Sequence, residues 1–227
     1  MLKLVLIASL LFPDVHHGES PATQEQRRAA FALIRQGKIE EALPDLRFAA
    51  EKNDRLALYQ LGVMYEVGEG VAQNYDLAWD CWSKSASQGL LAANHQLGRC
   101  YFYGWHVEQS EQKAKQYWLR GANNGFAPSQ YLLATTSLSL HSKDTTPENV
   151  EAVRWLLKAA RQDLPEAICV LGILYEIGFG VKKDLQLACA LEQRSLAKQF
   201  EVEPNMKPVA RTILDRVARE LSALGNK

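Results

Sequence analysis

The chain has 227 residues, 47% of them hydrophobic and 23% charged, the balance of a folded protein with a core of its own. Lysine plus arginine and aspartate plus glutamate both number 26, so the net charge is zero. That neutrality, with no basic block, argues against nucleic acid as the main partner.

The first 22 residues differ from the rest. Lys3 precedes an apolar run from Leu4 to Phe12, followed by Pro13, Asp14 and a polar stretch. The run is too short to span about 30 Å of hydrocarbon as a helix. It has the order of a secretory signal, with small residues at Ser20-Pro21-Ala22 for cleavage before Thr23. The alternative is an apolar helix docked on the first structural unit. No cysteine follows the run, so a lipid anchor is not expected. A cleaved signal implies a periplasmic or secreted protein; an uncleaved one implies a cytoplasmic protein.

Residues 23–54 read as a helical hairpin of tetratricopeptide type. Ala29, Ala30, Leu33 and Ile34 recur with helical spacing, Gly37 breaks the run, and Ile39, Ala42, Leu46 and Ala49 resume it. Beyond it lies a repeat. Leu61-Gly62-Val63-Met64-Tyr65-Glu66-Val67-Gly68-Glu69-Gly70-Val71 returns as Leu171-Gly172-Ile173-Leu174-Tyr175-Glu176-Ile177-Gly178-Phe179-Gly180-Val181. Leu97-Gly98 with Tyr101, Gly104 and Val107 is a copy between them, and Leu133-Ala134 a worn one. A fixed period of this length marks a solenoid of stacked units.

Four units follow, at 55–89, 90–125, 126–163 and 164–200. Each is expected to hold a first helix, a connection and a second helix. In the first, Gly62 permits close helix approach, Gly68 is a left-handed cap, Asn74 an N-cap, and Ala78, Cys81, Trp82 and Ser85 face inward. The second has Trp105-His106 in place of the second glycine and Ser110 at the cap. The third loses the glycine turn, with a Ser/Thr-rich connection at Leu138–Pro147 and Glu148 at the expected cap. The fourth returns to the strong form. After a break at Glu201–Asn205, Pro208 opens a final helix whose stripe of Val209, Ile213, Leu214, Val217, Leu221 and Leu224 would cap the array, over 201–227.

These residues resemble the Sel1-like repeat family, α/α relatives of tetratricopeptides. Ala57, Leu61, Gly62, Tyr65, Gly68, Gly70, Val71 and Ala78 match its pattern in the first unit. Ala167, Leu171, Gly172, Tyr175, Gly178, Gly180, Val181, Asp184 and Ala188 match it in the last. The resemblance implies an all-α, right-handed superhelical solenoid whose concave face is lined by first helices. It also implies a binding or adaptor role, in many members within bacterial envelopes.

Chemistry has little support. The glycine pairs follow helices rather than strands and lack a third glycine, so no nucleotide loop is expected. His95, His106 and His141 stand singly, His16-His17 fall in the presumed signal, and no HExxH or nucleophile elbow occurs. Cys81, Cys100, Cys169 and Cys189 form no CxxC and take apolar positions of the repeat; an oxidising compartment would permit disulfides, Cys81 and Cys100 falling on consecutive helices. No cofactor, metal or catalytic residue is expected. The expected binding face for a partner protein or peptide comprises Tyr59, Val63, Glu66, His95, Arg99, Phe102, Tyr103, Tyr131 and Thr135. Tyr59, His95 and Tyr131 can equally be packing residues. Trp82, Trp118 and Trp155 read as a core stripe. A small-molecule binder or enzyme acting on cell-wall components is the competing function.

Overall fold

The computed structural model describes residues 20–138, 146–179 and 181–202, with side chains to residue 196. Most of the expected signal segment, the whole expected helix from Pro208, most of the Leu138–Pro147 connection, His141 and Gly180 lie outside the described residues. Those described form ten helices and no strand. They follow as hairpins: α1 (Pro21–Arg35) with α2 (Ile39–Glu51), α3 (Arg55–Val67) with α4 (Tyr75–Ser87), and α5 (Leu91–Tyr103) with α6 (Glu111–Asn123). Then come α7 (Ala127–Ser137) with α8 (Pro147–Arg161), and α9 (Pro165–Ile177) with α10 (Leu185–Val202). The chain divides into two compact units, one up to Arg120 and one from Gly121.

In the first unit, helix ends are set by side chains of short reach. Asp54 accepts from the amides of Leu56 and Ala57, both at 2.9 Å, and starts α3. Gly68 ends it at φ 74°, its N–H donating to the Met64 carbonyl. Asn74 starts α4 by accepting from Leu77 N at 3.0 Å, and Ser110 starts α6 by accepting from Lys113 N at 3.3 Å. Alanine, leucine and one buried indole share the core between α3 and α4 and again between α5 and α6. Gly62 leaves no room for a side chain: an added Cβ would lie 2.4 Å from Trp82 Nε1. Trp82 is 1% exposed and donates its N–H to the Tyr59 carbonyl at 3.3 Å. Gly98 and Trp118 repeat the arrangement, with Trp118 donating to the His95 carbonyl at 3.2 Å.

The hairpin α1–α2 is fastened to this array by a buried ion pair. Arg27 Nη1 donates to Asp54 Oδ2 at 2.8 Å, the side chains 1% and 0% exposed. Asp54 thus caps α3 and neutralises an arginine from α1 at once.

The second unit varies the packing. Thr146, not the expected Glu148, is the N-cap of α8: its hydroxyl accepts from Asn149 N at 3.3 Å. Pro147 follows at the first helical position, where no amide hydrogen is needed, and Glu148 falls in the first turn. The position of Trp82 and Trp118 is taken here by the fully buried Leu156, not by Trp155. Trp155, one residue earlier, packs at the edge of the core with Lys158 Nζ 3.8 Å from its ring centroid. The smaller Leu156 accompanies Ala134 where glycine stands elsewhere. In α10 the same position is Glu192, whose Cγ would lie 3.0 Å from a Cβ added to Gly172.

Candidate protein-binding face

The residues expected to line one face divide between the two units. Tyr59, Val63, Glu66, His95, Arg99, Phe102 and Tyr103 belong to the first, Tyr131 and Thr135 to the second.

Two of the first group are not surface residues. Tyr59 and Val63 are each 5% exposed, because this side of α3 packs into the helix layer. Burial, with the Glu66 carboxylate adding to it, pushes the Tyr59 phenol up to about 12, and its hydroxyl bonds Gln96. His95 is partly covered; burial and then the Arg99 guanidinium hold its imidazole down to about 3. Both are neutral at ordinary pH and shape the floor of the face.

The remaining residues meet above that floor. Arg99 Nη2 pairs with Glu66 Oε1 at 3.0 Å, and Arg99 Nη1 donates to Gln96 Oε1 at 2.8 Å. The guanidinium carbon lies 5.1 Å from the ring centroid of Trp105. Burial raises the Glu66 carboxyl above its ordinary value, and the Arg99 guanidinium opposes that rise by its charge and its hydrogen bond. Tyr103, 53% exposed, lies nearly parallel to Trp105 with centroids 4.7 Å apart. Phe102 meets Tyr103 edge-on at 5.1 Å and leans on Trp118 at 5.5 Å.

The sequence reading missed Trp105, Tyr75 and Gln96 as members of this cluster. The signal was the departure of Trp105-His106 from the glycine turn. His106 has φ 64°, the conformation that Gly70 adopts at 71°. A Cβ on Gly70 would meet Ile39 Cγ2 of α2 at 2.4 Å, so only glycine fits. One unit later there is space, and His106 Nδ1 reaches Asp76 Oδ1 of α4 at 2.5 Å. Both of these turns therefore pack on the second helix of the preceding hairpin.

In the second unit, burial raises the Tyr131 phenol, with Glu166 and Cys169 adding to it. Thr135 donates its hydroxyl to the Tyr131 carbonyl at 3.0 Å, within its own helix. All four thiols are free. Burial pushes Cys81 up to about 11 and Cys100 up to about 12, which keeps both protonated and poor nucleophiles. Among the described residues no group of three or more His, Cys, Asp or Glu could hold a metal ion. No described helix is long and apolar enough to cross a membrane.

The Sel1 repeat pattern matches four successive segments, residues 55–90, 91–126, 127–164 and 165–195. The chain belongs to the Sel1 repeat family. Its fold is accordingly the α/α solenoid of that family, and Sel1 repeats generally mediate protein–protein interaction. Among solved structures it is similar to a Sel1 repeat protein from Oxalobacter formigenes, with TM-score 0.69 and 20% identity over 88% of each chain. It is also similar to c5321, a protective antigen of uropathogenic Escherichia coli strains displaying the same repeat fold. There the TM-score is 0.66 and the identity 22%, over 88% of this chain and 46% of that one. At such identities the likeness carries the fold alone. No curated protein matches the chain in sequence.

Proposed function

We infer that this Sel1 repeat protein is a non-enzymatic adaptor that holds a segment of another protein against the face formed by α3 and α5. The observation that carries this reading is the cluster around Arg99. An ion pair to Glu66, a bond to Gln96 and contact with Trp105 fix its guanidinium in one place, while Tyr103 beside it stays 53% exposed. A fixed arginine flanked by an open aromatic ring is the usual composition of an interaction hot spot. These residues occupy positions the repeat leaves free to vary, so they can differ without harm to the stack. The apolar run Leu4–Phe12 with Ser20-Pro21-Ala22 supports export to a bacterial envelope as the place of action.

The test is capture of partners by crosslinking in the native cell, with Arg99→Glu and Tyr103→Ala beside the unaltered chain. Both variants are expected to lose capture while keeping helical content by circular dichroism. Undiminished capture by both would remove this face from consideration. Intact-mass measurement of the chain from the cell would settle export: loss of residues 1–22 is expected, and an unprocessed N-terminus would place the adaptor in the cytoplasm.

A further inference from the structure

In the first unit, Tyr59, Val63 and Glu66 of α3 turn toward α5: the Tyr59 hydroxyl bonds Gln96, and Glu66 pairs with Arg99 at 3.0 Å. Their counterparts in α9 are Cys169, Ile173 and Glu176. Among the described residues no helix follows α10 to cover these. Cys169 and Ile173 are half-buried, whereas Tyr59 and Val63 are each 5% exposed. Glu176 is 5% exposed, and a carboxylate at that depth is stable only beside a cation or hydrogen-bond donors. Glu192, also buried, sits against Gly172 inside the hairpin and is not the counterpart of Glu66.

The sequence after α10 carries a stretch in the register of a first helix. Counted from the first helical residue, α5 and α9 place Ala93 and Ala167 third, Leu97 and Leu171 seventh, and Cys100 and Leu174 tenth, all buried. Counted from Pro208, the same positions hold Ala210, Leu214 and Val217. Pro208 itself matches Pro165, the first residue of α9. The eighth position, glycine in α3, α5 and α9, packs on the second helix of the same hairpin. Asp215 stands there, and a charge at that place suits a first helix with no second one against it. The ninth position decides the match: it is Arg99 in α5 and Arg216 here. In the first unit the ninth residue of α5 pairs with the twelfth residue of α3, Glu66, and the same step carries Arg216 to Glu176.

We propose that the segment Pro208–Leu224 docks along α9 as a further first helix, with Ala210, Leu214 and Val217 against the hairpin α9–α10 and Arg216 paired with Glu176. The connection from Val202 to Pro208 has the length usual between antiparallel helices. Charge and apolar pattern thus agree on one occupant of the α9 face, a part of this same chain.

The test is hydrogen–deuterium exchange of the full chain, read peptide by peptide by mass spectrometry. An amphipathic helix of this length is marginal by itself in water, so slowed exchange across 209–221 reports docking. Slowed exchange is expected in the unaltered chain at every chain concentration. Arg216→Glu is expected to speed it roughly tenfold or more, as for loss of one partner of a buried charge pair. Arg219→Glu makes the same charge change at the twelfth position, which faces away from the preceding hairpin as Glu66 does, and is expected to leave exchange unchanged. Adding Glu176→Arg to Arg216→Glu should restore protection. If Glu176→Arg disturbs α9, Glu176→Gln alone keeps the shape, removes the charge, and should still loosen 209–221 while α3–α6 exchange as before. Fast exchange of 209–221 in the unaltered chain would overturn the proposal, and so would protection that grows with chain concentration, as a second copy on α9 would give. Equal sensitivity to Arg216→Glu and Arg219→Glu, or none to Arg216→Glu, would overturn it as well.

Discussion

Replacing Gly62 by alanine tests how the paired helices are set at their spacing. In an exposed helix interior the change would stabilise by about 1 kcal/mol, through lower backbone entropy in the unfolded chain. Here the new methyl carbon would lie 2.4 Å from Nε1 and 2.6 Å from Cδ1 of Trp82. That indole is 1% exposed and cannot swing into solvent without opening the hairpin. Displacing it weakens the bond to the Tyr59 carbonyl, worth about 1 kcal/mol, and overpacks the layer at a cost of about 1–3 kcal/mol. Against the propensity gain, Gly62→Ala is expected to destabilise by about 1–3 kcal/mol. Trp82→Leu alone would leave a cavity costing about 3 kcal/mol. The second unit carries the smaller partner with the larger one removed, Ala134 with Leu156. The double variant Gly62→Ala/Trp82→Leu should therefore cost at least about 1 kcal/mol less than the sum of the single changes. Urea unfolding followed by far-ultraviolet circular dichroism measures all three against the unaltered chain. The reasoning fails if Gly62→Ala is stabilising, or if the two changes simply add.

The Arg27–Asp54 pair should behave as a buried ion pair that also caps a helix. Asp54→Ala is expected to cost about 3–5 kcal/mol, since it removes the cap and the carboxylate that balances a buried guanidinium. The double variant Arg27→Met/Asp54→Ser keeps a capping oxygen without the charges and should recover most of that loss in the same urea assay. Non-recovery would mean that the charges themselves hold α1 in place. His95 should make stability fall in acid. Its folded-state value, about 3, lies below the ordinary 6.5, so the unfolded chain binds the proton first. The contribution is complete above about pH 6.5 and is lost as pH falls toward 3. By pH 5 the loss amounts to at most about 2 kcal/mol relative to pH 7. Comparing urea midpoints of the unaltered chain and His95→Gln at both pH values isolates it; an equal pH dependence in the two would refute the assignment.

Much of the fold could be read from the chain because its signals are local. Gly68, Gly104 and Gly178 end their helices in the left-handed conformation, at φ 74°, 75° and 72°, where a side chain would be strained. Asn74 and Ser110 each bind an amide three residues on, a contact that spacing alone dictates. The cap of α8 was misplaced by two residues because Thr146 and Glu148 both suit a helix start, and only the position of Pro147 among them decides. Arg27 could not be recognised as buried, since its partner Asp54 is 27 residues away in another hairpin.

The candidate face shows the same division. Periodicity placed Glu66, Arg99, Phe102 and Tyr103 on the free side of first helices, and the structure brings Glu66 to Arg99 and Phe102 to Tyr103. Periodicity also put Tyr59 and Val63 there, yet helical phase alone does not say how deep a neighbouring helix packs, and both are buried. The sequence by itself determined the repeat, the glycine-terminated helix ends and the family, because each depends on contacts a few residues apart or on a period. Only the tertiary structure decided which aromatic rings stand beside Arg99. Tyr75, Trp105 and Tyr103 come from two repeats and a turn, and their meeting depends on the spacing that Gly62 against Trp82 and Gly98 against Trp118 impose on the helices.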